Sequence, residues 1–406
     1  MDNYLEKYAR LIVELGVNIK KGQYFIIQAP IEAKELVNKL SELAFAKGAR
    51  DVVVFYEDID LVLKRLENCQ IDEIREVKQH EADSLRYYLE KGAVSLLLNT
   101  EYPYLFKDID PDVMKAYGNY QNDLRNNIRY YMNHHNISWC IASYPNARWA
   151  QVIYPNLNKG EALTELTKVM YDICLINQDD PIKNWHRHVL RLGKISSKLN
   201  DLQLDRLHFT SENGTDLVVG LPENHQWHGG KESVDYITFE PNIPTQEVFT
   251  SPDKFRVNGK VVASRPLALA GAIIEDFHFT FKDGKVVECK ALKNEAVLKE
   301  LISRDEGASY LGEVALVQYD SPISKSNLLF YNTLYDENAA CHLALGNSFA
   351  SSVKGCGSSN EEKASCNLNN SKIHIDFMFG CEDLSIVGYD KQGKEYQIFV
   401  AGNFVI

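Results

Sequence analysis

The chain has 406 residues, which at roughly 150 residues per domain leaves room for two or three domains. Its composition, 45% apolar and 25% charged, is that of an ordinary globular protein and excludes a disordered tail, a collagen-like repeat or a disulfide scaffold. Lys plus Arg number 44 against 56 Asp plus Glu, and the resulting charge of −12 argues against nucleic acid as a partner.

In chain order, Leu5, Tyr8, Leu11, Ile12 and Leu15 recur at helical spacing, with Gly16 as a stop. Charged residues among them (Asp2, Glu6, Lys7, Arg10 and Glu14) set this segment apart from a signal peptide, so a cytoplasmic location is expected. Residues 23–29 read as a buried strand, 36–44 as a helix and 51–56 as a second strand, and that order implies parallel pairing. Apolar runs at 93–98 and 138–143 extend the pattern into a sheet covered by helices. Residues 161–202 read as two helices broken at Asp179-Asp180-Pro181. Beyond them the chain turns β-rich, punctuated by Asn213-Gly214, Asp283-Gly284 and Gln392-Gly393, the second flanked by apolar runs as in a hairpin. Residues 351–371, rich in Ser, Asn, Lys, Glu and Gly, read as a mobile surface loop. The longest uncharged apolar run, 266–274, is about half the roughly 20 residues of a membrane-spanning helix, so no membrane partner is expected.

The expected fold class is therefore α/β: an N-terminal, helix-covered, largely parallel sheet domain (1–180) followed by a β-rich α+β domain (181–406). Eight cysteines without a C-x-x-C pair exclude a zinc finger or a dithiol motif and are expected to be reduced and mostly buried. Gly355-Cys356-Gly357 fails as a dinucleotide fingerprint because Asn360 holds the sixth place, and His80-Glu81 fails as a zincin motif because Ser84 stands where the second histidine belongs. His134-His135 and His186-x-His188 read as solvated pairs. His225, Trp227, His228 and Gly229-Gly230 read as an aromatic loop packed on the core, with a substrate passage as the other reading.

The C-terminal half concentrates ligand-type residues. Glu313 sits in an apolar run, where an ionised carboxylate is costly unless paired or coordinated. Glu337 and His342 stand five residues apart. His374 and Asp376 alternate with Ile373, Ile375 and Phe377, so in a strand both polar side chains share a face. Carboxylates with imidazoles and no thiolates suit zinc, cobalt or manganese, and two such ions form a site that activates water. Satisfied core polar groups are the other reading of the same residues.

The motifs Glu337-Asn338-x-x-x-His342-x-Ala344-x-Gly346, residues 311–317 and His374-x-Asp376-Phe377-Met378-x-Gly380 together resemble the thermophilic aminopeptidase family of metallopeptidases, the aminopeptidase T and S type. Gly16-Val17-Asn18-x-x-Lys21-Gly22-Gln23, Gly214-Thr215-Asp216-Leu217 and residues 244–250 extend the resemblance over the whole chain. It implies a metal-dependent aminopeptidase that takes the first residue from short peptides with a free N-terminus. It places two divalent metal ions (zinc, cobalt or manganese) on Glu247, Glu313, His342, His374 and Asp376, with Glu313 bridging. Glu337 is then a sixth ligand or the general base, and the assembly a homodimer whose sites open into an enclosed cavity. The chain departs from the family at Phe349, where the family has an active-site tyrosine. A lost hydroxyl donor of this kind costs about 100 to 1000-fold in turnover. Tyr331 and Tyr335 are substitutes by sequence proximity, or packed aromatics. The alternatives carried forward are another two-metal hydrolase, such as a phosphoesterase, and a weakened metal- or peptide-binding protein.

Overall fold

The computed structural model describes residues 2–134, 137–234, 237–269 and 272–406. His135 and the side chain of His134 fall outside what is described, so the pair is untested. Largely buried on both faces, Tyr24–Pro30, Val94–Asn99 and Trp139–Ser143 need cover above and below, and they lie in a parallel sheet flanked by helices. The strand order is Asn242–Ile243, Trp139–Ser143, Val94–Asn99, Tyr24–Pro30, Asp51–Glu57, every pair parallel. The opening helix Asp2–Leu11 widens into a π-turn, Ile12–Gly16, and so ends at the expected glycine. Helix Lys159–Ile173 starts two residues before the expected position because Asn158 and Glu161 form a capping box. Helix Pro181–Leu202 follows the expected break, with the Asp180 carboxylate accepting from the Lys183 amide.

The chain forms two compact units, one of residues 1–186 and 231–244, the other of 187–230 and 245–406. Within the first unit, Glu240 is 4% exposed and its Oε2 has no hydrogen-bond partner among the described residues. Burial lifts its carboxyl from the usual 4.5 to about 9, against the opposing charge of Lys231. Between these values the folded chain holds a proton that the unfolded chain has released, so Glu240 lowers stability as pH rises. Glu240→Gln is expected to raise stability by about 2 kcal/mol at pH 8 and by little near pH 5. Denaturant melts at both pH values check this, and a gain independent of pH would refute it.

Among the described residues the second unit holds two antiparallel sheets. The larger is nine-stranded and includes the hairpin Ala272–Lys282 and Lys285–Lys293, turning at Asp283 (φ 50°) and Gly284 (φ 84°) as the sequence predicts. The smaller runs His374–Met378, His342–Gly346, Leu311–Leu316, Val248–Thr250, His228–Gly229. One face of the smaller sheet supplies Val248, Val314, Leu316, Leu343, Leu345 and Phe377 to a core shared with Phe277 and Phe279 of the larger sheet. That leaves the other face of the smaller sheet for chemistry.

Residues 351–371 differ in part from expectation. Ser359 and Glu362 cap a short helix, Asn360–Ser365, and Lys363 is buried with Nζ donating to Asn347 Oδ1 (2.9 Å) and Ser348 O (2.8 Å). Asn369, fully buried, donates to Gly307 O and Gly346 O. Two of the polar residues, Lys363 and Asn369, are thus spent on backbone carbonyls at the sheet's end, while most of the segment stays at the surface as expected. The eight cysteines are all free, four of them buried and four half-buried.

Candidate metal centre

Strand register assembles the site. His228, Phe249, Ala315, His342 and Met378 stand opposite one another across the smaller sheet, and Ala344 stands opposite both Glu313 and Asp376. Directly opposed residues share a face, as do residues two apart, so Glu247, Glu313, His342, His374 and Asp376 all point from the same side. Ala315, Ala344 and Gly346 between them keep that face shallow.

Glu313 reaches it through an irregularity. Leu311 pairs with Leu345 but Glu313 pairs with Ala344, so one residue is inserted at Gly312. The bulge sends Leu311 into the core and Glu313, two positions on, to the opposite face. A side chain at 312 would place its Cβ 2.4 Å from the carbonyl oxygens of Gly346 and Asn347, so only glycine fits. Two contacts hold the segment before Glu247: His188 Nε2 lies 2.7 Å from Thr245 O, and Gln246 N donates to Asn338 Oδ1 at 2.6 Å. His188 is thus no solvated residue. Burial lowers its pKa to about 4, and the neutral ring donates to a carbonyl, while His186 is exposed.

Two trios result. One ligand atom from each of Glu247, Glu313 and His342, and likewise from Glu313, His374 and Asp376, lies within 4.8 Å of the others in its set. His342 Nε2 is 3.0 Å from Glu247 Oε2 and 3.9 Å from Glu313 Oε1. His374 Nε2 is 3.0 Å from Glu313 Oε2 and 3.6 Å from Asp376 Oδ1. Glu337 opens the turn Glu337–Ala339, belongs to neither trio, and lines a recess with Asp376, Leu267, Tyr331 and Met378. Tyr331 therefore lies beside the site, whereas Tyr335 is buried and stacked on Phe330 at 4.9 Å. Trp227 and His225 are buried, as the packing reading requires. His228 stacks on Phe249 (5.6 Å) on the ligand-bearing face.

The residues fit a divalent cation. His342 Nδ1 faces Ala340 O (3.2 Å) and His374 Nδ1 faces Asn347 O (2.8 Å). A carbonyl only accepts, so each Nδ1 carries the hydrogen and each neutral ring aims an Nε2 lone pair at a carboxylate. Among the described residues, Glu247 Oε2 and Asp376 Oδ1 are buried with no polar partner besides the histidine nitrogens 3.0 and 3.6 Å away. Lone pairs converging in this way need positive charge among them. Without a cation, protons supply it. Burial opposes a charge on His342, yet Glu247, Asp376 and Glu313 hold its pKa up to about 10, and Asp376 and Glu313 hold that of His374 well above the ordinary range. Burial, then Asp376 and Glu247, push the Glu337 carboxyl well above the usual carboxylate range. Hard carboxylates with borderline imidazoles and no thiolate match zinc, cobalt or manganese.

Sequence reading quotes Gly312 and Asn338 only as motif positions and assigns no role to them or to the carbonyl of Asn347. Their signals, a glycine before Glu313 and an asparagine after Glu337, gain meaning only from strand pairing.

Comparison with known proteins identifies the family. The chain is similar to aminopeptidase AmpS of Bacillus subtilis (38% identical, all of both chains covered) and to aminopeptidase 2 of Geobacillus stearothermophilus (40% identical, 98% of this chain and 97% of the relative). Its fold superposes on wild-type AmpT from Thermus thermophilus with a TM-score of 0.94 at 34% identity, all of both chains covered. The thermophilic metalloprotease (M29) family model matches residues 1–404, and the chain belongs to that family.

Proposed function

We propose that the protein is an aminopeptidase that releases the N-terminal residue from short peptides through two divalent ions. The observation that carries this is Glu313, whose two carboxylate oxygens face different histidines and which alone belongs to both trios. Glu247 and His342 would complete one ion's ligands, His374 and Asp376 the other's. When bound, such ions make a water acidic near neutral pH and polarise a carbonyl. Glu337, outside the trios and on the recess, would act as the general base once the charge of the bound ions ionises it, taking a proton from the attacking water as the new C–O bond forms and passing it to the leaving amine as the C–N bond breaks. A free α-amine is then the group that orients the substrate. Zinc, cobalt and manganese each suit the donor set.

Family resemblance supports a homodimer with an enclosed cavity, and the charged residues of the opening helix favour a cytoplasmic location. Among the described residues no helix is long and apolar enough to cross a membrane.

The test compares a leucyl dipeptide with its N-acetylated form after chelation and reloading with zinc, cobalt or manganese. Metal-dependent release of leucine from the free dipeptide alone is expected. Stoichiometric metal uptake without release would favour the weakened binding protein that Phe349 suggests, and turnover of an aryl phosphate instead would favour a phosphoesterase.

A further inference from the structure

We propose that Phe349, backed by Phe249 and His228, forms an apolar wall for the side chain of the substrate's first residue; this rests on the aminopeptidase reading above. Phe349 is 38% exposed, and its ring lies 5.0 Å from that of His374 and 5.7 Å from that of Phe249. Phe249 stacks in turn on His228, whose Nε2 lies 2.9 Å from Ser351 O. Rings thus run in one line from a ligand histidine outward along the face that bears the trios.

Single exposed aromatics are common and need no purpose. This one is fixed in place. The Phe349 amide donates to Ser251 Oγ (3.0 Å), and Lys363 grips the two residues before it. A ring held by its backbone keeps an open face without reordering on binding. In an aminopeptidase the amine and the attacked carbonyl of the first residue are both held at the trios, which pins the α-carbon between them. Its side chain must leave within reach of His374, whereas the second residue lies further along and can turn away. A flat hydrocarbon surface there favours leucine or phenylalanine over alanine, lysine or glutamate.

The experiment measures kcat/KM for leucyl and alanyl p-nitroanilides, together with calorimetric binding of free L-leucine and L-alanine to metal-loaded protein. In Phe349→Ala the leucyl-to-alanyl ratio is expected to fall about tenfold, mostly through KM, and leucine binding to weaken in parallel. Phe349→Tyr, which keeps the ring, should retain the ratio, and Phe349→Leu should fall between. An unchanged ratio in Phe349→Ala overturns the wall. So does a ratio that moves with Met378→Ala instead, since that places the side chain in the recess near Glu337. If the wild type cleaves neither anilide, the aminopeptidase reading fails separately. Leucine binding then still decides, because equal binding by wild type and Phe349→Ala would overturn the wall.

Discussion

Glu313→Gln is expected to lower kcat by about 1000-fold, roughly 4 kcal/mol. The glutamine keeps the shape of the side chain but removes the charge shared by both trios, so metal content is expected to fall with turnover. Stability of the stripped chain reads a separate term. Burial, Asp376 and Glu247 raise the Glu313 carboxyl while the His374 contact lowers it, so a neutral amide sheds repulsion from the carboxylates but gives up its pairing with the protonated His374, and the net change in the metal-free chain is expected to be small. Metal analysis of the purified variant, beside a denaturant melt of the stripped protein, separates this role from a structural one. Full turnover with full metal content would remove Glu313 from the bridge.

The second large effect concerns a residue without a side chain. Gly312→Ala is expected to destabilise the fold by about 2–4 kcal/mol and to lose metal, because its Cβ would collide with two backbone carbonyls that cannot retreat. Relief requires the bulge to unwind, and unwinding turns Glu313 toward the core. The neighbour Val314 provides the control. Val314→Ala leaves a cavity on the core face and costs stability, yet keeps the register, so its metal content should match the wild type. If both variants lose stability and both keep metal, the bulge does not aim Glu313.

These two residues show where the sequence is legible and where it stops. His374 and Asp376 can be placed on one face by alternation alone, and they are. The parallel sheet, the helix break before Pro181 and the Asp283-Gly284 hairpin are equally local in origin. Glu313 cannot be aimed from the sequence, because strict alternation groups it with Leu311, which the bulge sends the other way. Nor can the juxtaposition of Glu247 with His342, which depends on pairing between strands far apart in the chain. Residues 351–371 mislead in part, for a related reason: composition cannot distinguish a lysine reaching into water from Lys363 reaching into carbonyls. Family resemblance bridges these gaps by carrying non-local information that composition and periodicity lack.

The strand Asn242–Ile243 has a consequence for synthesis. It pairs with Trp139–Ser143, yet residues 187–230, part of the other unit, are translated between them. On the ribosome, the parallel sheet waits with an open edge until residue 244 has emerged, and an open edge is what neighbouring nascent chains and chaperones recognise. A gene fragment ending near residue 186 would encode that waiting state permanently, so the first unit expressed alone needs residues 231–244 grafted back onto its end.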